Sequence, residues 1–167
     1  MKKVLLVVDY QFDFADPNGK LYVDGGETLK KGILERIAYY KSSNDYIVFS
    51  GDFHPNNHVS FDLWGKHCLA DQNGSNFYVD ASDADLIIKK GTDRFSDSYS
   101  AFYVSENVES TLNDWLIERN VNFIEICGLA LDVCVKETYL DAKKFGYNSI
   151  VNENLCKPLD KNFKFIP

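Results

Sequence analysis

The chain has 167 residues, 45% hydrophobic and 14% aromatic, enough for one domain with a real core and unlike a disordered chain. Its 18 basic and 25 acidic residues leave a formal net charge of −7 with no basic run, which argues against nucleic acid or an anionic membrane as partner, since either needs a cationic face. In the opening MKKVLLVVDYQ only five apolar residues separate the lysines from Asp9, too few for a signal-peptide core, and no segment approaches the ~18 apolar residues of a membrane span.

A cytoplasmic setting is therefore expected, with Cys68, Cys127, Cys134 and Cys156 as free thiols. They form no C-x-x-C pair, so a cysteine-only metal site is not expected.

In chain order, Lys3–Val8 is a β-branched, apolar run of the kind buried on both faces of a sheet. After the Gly25-Gly26 break, Leu29, Ile33, Leu34 and Ile37 fall at helical spacing. Asp45–Ser50 and Ala84–Lys90 read as the second and third strands. Val108, Leu112, Trp115 and Leu116 mark a helix, and Val121–Cys127 a fourth strand. Val135, Tyr139, Ala142 and Phe145 carry a further helix, and Asn148–Glu153 is the fifth strand. The tail beyond leaves room for little or no final helix.

Strands alternating with helices predict a single three-layer, Rossmann-like α/β domain over residues 1–167. Its central sheet is mostly parallel, with helices on both faces. Ligands of such sheets bind beyond the carboxyl ends of the strands. There the sequence places Asp9 after the first strand, Asp52 after the second, Lys90 at the end of the third and Cys134 after the fourth.

Cysteine is among the most buried residue types, so inert packing is the default for Cys134. Its place at a strand–glycine–helix junction offers another role, since unpaired N–H groups there favour a thiolate and can hold an oxyanion. Cys127, still within the strand, reads as core. Asp9 could cap a turn, bind a ribose or act as a base. Lys90 and Lys89 point to opposite faces by strand alternation, so at most one serves a given site. All three histidines lie in DFHPNNHVSFDLWGKHC. Asp52, His54 and His67 form a 2-His-1-carboxylate pattern for a metal with open positions, although a histidine-rich surface loop would look similar. His58 is an additional ligand or a neighbour of the set, and Ser60 could contribute its hydroxyl.

The segments VVDYQFDF, GDFHPNNHVSFDLWGKHC, KKGTDRFSDSYSAF and GLALDVCVKETYLDA together resemble the nicotinamidase branch of the isochorismatase-like cysteine hydrolases, in order from Lys3 to Glu153. The resemblance implies an amidohydrolase that converts nicotinamide to nicotinate and ammonia through a thioester, with Asp9, Lys90 and Cys134 as catalytic triad. It implies a divalent metal on Asp52, His54 and His67: zinc, with iron and manganese as alternatives. It also implies a cis Leu129–Ala130 bond, an oxyanion hole from the Ala130 and Cys134 N–H groups, and a substrate pocket of Phe14, Trp64, Tyr99 and Ala130. A homo-oligomer is compatible with the sequence. The chain departs from the family pattern at Gly65, where proline is usual, and at Leu131, where threonine or serine is usual.

Two other readings compete. A metal-free cysteine hydrolase acting on another small amide needs Cys134, Asp9 and Lys90 but gives Asp52, His54 and His67 nothing to do. A zinc-dependent binding or regulatory protein needs the histidines but not the thiol. Isochorismate hydrolysis does not call for a cysteine nucleophile.

Overall fold

Strand β1 (Lys2–Val8) is the centre of the sheet, and from Val4 to Val8 every side chain is buried, as a run apolar on both faces requires. The computed structural model describes residues 2–167. After the single-turn helix α1 (Phe12–Ala15) and a 3-10 turn, the chain forms α2 (Lys30–Ser42), β2 (Tyr46–Asp52), the short α3 (Phe61–Trp64) and β3 (Leu86–Lys90). A small antiparallel pair, β4 (Tyr103–Ser105) and β5 (Val108–Glu109), precedes α4 (Leu112–Glu118) and β6 (Val121–Leu129). A π-helical turn, Leu131–Val135, then leads into α5 (Lys136–Lys144) and β7 (Asn148–Lys157).

The sheet order is β3-β2-β1-β6-β7, every neighbour parallel. From β1 the chain builds outward to β3, then crosses back to lay β6 and β7 on the other side. That reversal opens a crevice at the carboxyl ends of β1 and β6, where doubly wound sheets bind their ligands. Helix α2 packs on β1 and β2, α4 on β6, and α5 on β6 and β7; the right-handed crossover rule for parallel strands puts α2 on the face opposite α4 and α5. The three-layer α/β architecture expected from the sequence is the one observed.

Several boundaries differ from the sequence reading. Val108 does not start a helix; it lies in β5 and is half exposed, because α4 begins only at Leu112. Leu29 belongs to the 3-10 turn, and Leu34 faces solvent while Ile33, Ile37 and Tyr40 form the buried stripe of α2. The second strand runs on to Asp52 and the fifth to Lys157, beyond the apolar runs that announce them. Both extensions are held by ladder hydrogen bonds that polar residues make equally well. The tail after Lys157 contains neither helix nor strand. Among the described residues no helix is long and apolar enough to cross a membrane.

One charged group sits inside the sheet away from the crevice. Glu125 on β6 is buried and accepts hydrogen bonds from Arg36 and Tyr40 of α2 and from Asn152 of β7. Burial alone would raise its pKa, but Arg36, Asn152 and Tyr40 together hold it below the ordinary 4.5. A depressed carboxyl pKa stabilises the fold above the unfolded value and loses that contribution as pH falls through the folded one. Glu125→Gln should therefore cost about 2 kcal/mol at pH 7. Thermal melts of both proteins should converge as pH drops below 4.5. A difference in melting temperature that stays constant from pH 7 to 3 would contradict this account.

Candidate active site

The carboxyl ends of β1, β2, β3 and β6 converge on one buried cluster. At the end of β1, Asp9 takes a left-handed backbone (φ 47°), a conformation few non-glycine residues adopt, while its N–H donates to Ser50 of β2 (2.9 Å). This turn directs its carboxylate inward, where Ser50 Oγ donates to Oδ1 at 2.8 Å and Lys90 Nζ lies 2.8 Å from Oδ2. Strand alternation separates the two lysines of β3 as expected: Lys89 is exposed and Lys90 fully buried.

Lys90 Nζ donates to Asp52 Oδ1 (2.6 Å) and to the Ser98 carbonyl (3.1 Å), and lies 3.8 Å from Cys134 Sγ. The ammonium therefore joins two carboxylates and the thiol. Burial alone would strip its charge, but Asp52 and Asp9 more than reverse this and push its pKa well above 10.5. For Asp52 burial is likewise outweighed, by Lys90 and His54, which hold the carboxyl below its usual range. Asp9 goes the other way: burial raises it more than Lys90 lowers it.

Cys134 sits in the π-helical turn rather than in the first turn of a regular α-helix. The helix end and the nearby Lys90 favour a thiolate, yet the thiol's pKa is pushed well above 9.0. Burial is the main cause, Lys90 pulls the value down only in part, and Asp9 and Asp52 add to the rise. The resting group is a thiol beside a carboxylate that can accept its proton. Cys127 and Cys68 are also buried and raised, by burial first, and neither lies in the cluster's crevice. All four cysteines are free thiols.

Asp52 connects this cluster to a second one. Asp52, His54 and His67 are all buried and offer three ligand atoms within 4.8 Å of one another. His54 Nδ1 donates to the Gly91 carbonyl (2.7 Å) and His67 Nδ1 to the Gly65 carbonyl (2.8 Å), which leaves both Nε2 atoms toward Asp52. His54 Nε2 is buried without a hydrogen-bond partner. An orphaned ring nitrogen, a second imidazole and a carboxylate oxygen, each imidazole oriented from behind by a carbonyl, suit a divalent cation.

His58 adjoins this set and forms with His54 and Asp97 a second group whose ligand atoms lie within 4.8 Å of one another, with Ser60 bonded to it. The Ser60 hydroxyl bonds His58 Nδ1 (2.7 Å) and the Ser96 carbonyl lies 3.0 Å from Nε2, so both ring nitrogens are committed. His58 instead stacks on His54 with ring centroids 3.9 Å apart. Two glycines make the arrangement possible. Gly91 has φ +63° and a Cβ there would lie 2.3 Å from the His54 ring. Gly65 has φ +74°, a backbone conformation closed to the proline usual in the resembling family.

A pocket of about 420 Å³, counting its mouth, opens onto both clusters. Phe14, Trp64, Tyr99 and Ala130 all line it with Cys134, Asp52 and His67. Trp64 Nε1 donates to the Tyr99 hydroxyl (3.2 Å), and Phe14 packs at 5.6 Å from the His67 ring. The Leu129–Ala130 peptide is cis, and the Ala130 carbonyl accepts the Val133 and Val135 N–H groups.

Several contributors escaped the sequence reading. Leu21, Val23, Val133 and Leu159 complete the apolar wall, and Asp97 reaches the rim. Gln11 is fully buried, donating to the Asp52 and Ser75 carbonyls and accepting the Asp52 N–H (2.8 Å), which fixes the end of β2. Asp13 accepts the Cys68 N–H (2.8 Å) and so anchors the strand of chain carrying His67. Nothing in the sequence separates such a buried Gln or Asp from a solvated one; the only signal was their nearness to Asp9.

This chain resembles known proteins along almost its whole length. The pattern of the Isochorismatase domain matches residues 3–165. A nicotinamidase from Acinetobacter baylyi is 36% identical over 95% of this chain and 82% of its own. A nicotinamidase/pyrazinamidase from Mycobacterium tuberculosis is 34% identical over 86% of this chain and 80% of its own. Among solved structures, a pyrazinamidase of Pyrococcus horikoshii in complex with zinc superposes with a TM-score of 0.89 at 34% identity, covering 96% of this chain and 89% of that one. A protein from L. infantum in complex with nicotinate gives 0.90 at 33% identity, covering 96% and 83%. Shared from first strand to last, in pattern and in backbone, these likenesses establish that the chain belongs to the isochorismatase domain family.

Proposed function

We propose that the protein is a metal-dependent cysteine amidohydrolase that converts nicotinamide to nicotinate and ammonia, acting as a single domain over residues 1–167. The observation that carries this reading is the Lys90 ammonium, which joins the Asp9–Cys134 pair and the Asp52–His54–His67 set at the floor of one aromatic-walled pocket. A metal-free hydrolase would leave the buried, unpartnered His54 Nε2 without purpose.

In the proposed sequence Asp9 takes the Cys134 proton as the sulfur attacks the carboxamide carbon. Because the thiol starts protonated, proton transfer and attack are coupled, and the Asp9 carboxylate is the acceptor. The N–H groups of Ala130 and Cys134 receive the oxyanion, and one such donor is typically worth ~3–4 kcal/mol. Asp9 returns the proton to the departing nitrogen, the C–N bond breaks and ammonia leaves. Asp9 then takes a proton from water as its oxygen adds to the thioester carbon. The C–S bond breaks, the proton passes from Asp9 to the sulfur, and the acid leaves as nicotinate, its own proton going to the released ammonia or to solvent. Lys90 keeps the Asp52 carboxylate ionised and holds the Asp9 carboxyl in place while it takes and returns its proton.

Asp52, His54 and His67 would hold the metal, zinc by preference with iron or manganese as alternatives; a borderline-soft ion there would supply an affinity for pyridine nitrogen that helps orient the ring. Phe14, Trp64 and Tyr99 enclose that ring. Nicotinate would enter pyridine-nucleotide salvage, a cytoplasmic role that suits four free thiols.

The decisive test is ammonia release from nicotinamide, before and after chelation and on restoring zinc. Activity that is absent under all three conditions, or indifferent to chelation, would overturn the reading. Cys134→Ala should lower kcat by ~10⁴-fold or more while retaining bound metal. Near-normal turnover would remove Cys134 as nucleophile. Gly91→Ala should displace the His54 ring and weaken zinc affinity ~10–100-fold, read by elemental analysis and chelator competition. Unchanged zinc content would show that His54 is not held as described.

A further inference from the structure

The segment after β7 has no regular structure, yet its Leu159 forms part of the pocket wall. What holds it there is Asp132, two residues before Cys134 in the same π-helical turn. Asp132 Oδ1 accepts the Leu159 N–H (2.9 Å) and Oδ2 the Asp160 N–H (2.8 Å). Both oxygens are thus committed to two successive amides of the tail. Further along, Lys161 Nζ pairs with Asp24 Oδ2 (2.6 Å), adjacent to the pocket residue Val23. The Phe165 ring meets Tyr139 of α5 edge-on at 5.1 Å. The tail is therefore a strap across the nucleophile turn, tied on both sides and carrying one apolar side chain into the pocket.

We propose that this strap is the specificity wall of the pocket: Leu159 limits the heteroaromatic ring to an unsubstituted six-membered carboxamide, and Asp132 is the positioning residue that sets Leu159 relative to the sulfur. The proposal rests on the amidohydrolase reading for its substrate class. Its physical basis is that the turn presenting Cys134 also presents the acceptor that locates the opposing wall. A rigid clip of two charge-assisted hydrogen bonds fixes that distance. Asparagine at 132 would turn an NH₂ toward one tail amide and lose half the clip.

The test uses the full chain. In Leu159→Ala, the kcat/KM of at least one of 4-, 5- and 6-methylnicotinamide, relative to nicotinamide, should rise ~10-fold or more, the usual worth of one methyl-sized space in an apolar pocket. In Asp132→Asn, KM for nicotinamide should rise ~10-fold with kcat within ~3-fold, and trypsin should cut at Lys161 faster than in the unaltered protein. A role confined to shaping the Cys134 turn would instead lower kcat and slow thiol alkylation, leaving tryptic cleavage unchanged. The same ligand ranking is measured as Kd by calorimetry in a Cys134→Ala background. If the unaltered protein releases no ammonia from nicotinamide, the amidohydrolase reading fails and the binding ranking still tests the strap. Should every methylated ligand stay within twofold of its original ratio to nicotinamide in Leu159→Ala, by turnover and by binding, the strap proposal is overturned even where the parent reaction stands.

Discussion

A single buried ammonium holds the reactive end of this protein together. Lys90 is wholly removed from solvent, where an unpaired charge would cost several kcal/mol, and is kept ionised by Asp9 on one side and Asp52 on the other. Two carboxylates against one ammonium leave an excess negative charge inside the fold. That excess explains why Asp52 also faces two imidazoles, and why a divalent cation suits the same corner. The proposed nucleophile and the candidate metal ligands are thereby parts of one electrostatic assembly, linked through the two oxygens of Asp52.

The thiol gains its character from that assembly in an indirect way. A cation beside a cysteine is commonly read as a device for making thiolate, but here two carboxylates and burial oppose it. The sulfur rests protonated, with Asp9 as a raised-pKa base at hand. In the proposed reaction such a pairing would deliver the nucleophile only when a carbonyl carbon is present to take it up, and a protonated, buried thiol is a poor target for oxidants in the meantime. The π-helical turn contributes position: it brings the sulfur, the Ala130 amide and the strap-holding Asp132 within one short stretch of backbone.

The rest of the site is a matter of support. Gln11, Asp13, Ser50 and the carbonyls of Gly65, Gly91 and Ser98 make no claim on the chemistry themselves. They fix the strand ends and ring orientations on which it depends. Supporting shells of this kind are what hold a constellation to sub-ångström tolerance. They are drawn from residues far apart in the chain.

Much of this was legible in the sequence. Apolar runs of strand length and helical spacings determined the alternation of elements, because backbone hydrogen bonding and burial act locally and with fixed periods. That alternation, with the rule for parallel sheets, placed Asp9, Asp52, Lys90 and the cysteine turn at one rim, and the clustered histidines marked the loop that joins them. The sequence could not say that Lys90 would face inward between two carboxylates. Nor could it say that Cys134 would be neutral, that His58 would be occupied by Ser60 and Ser96, or that Leu159 would close the pocket. Those outcomes depend on burial and on partners dozens of residues away, and a side chain's charge and direction are set by what surrounds it in space, which only the tertiary structure decides.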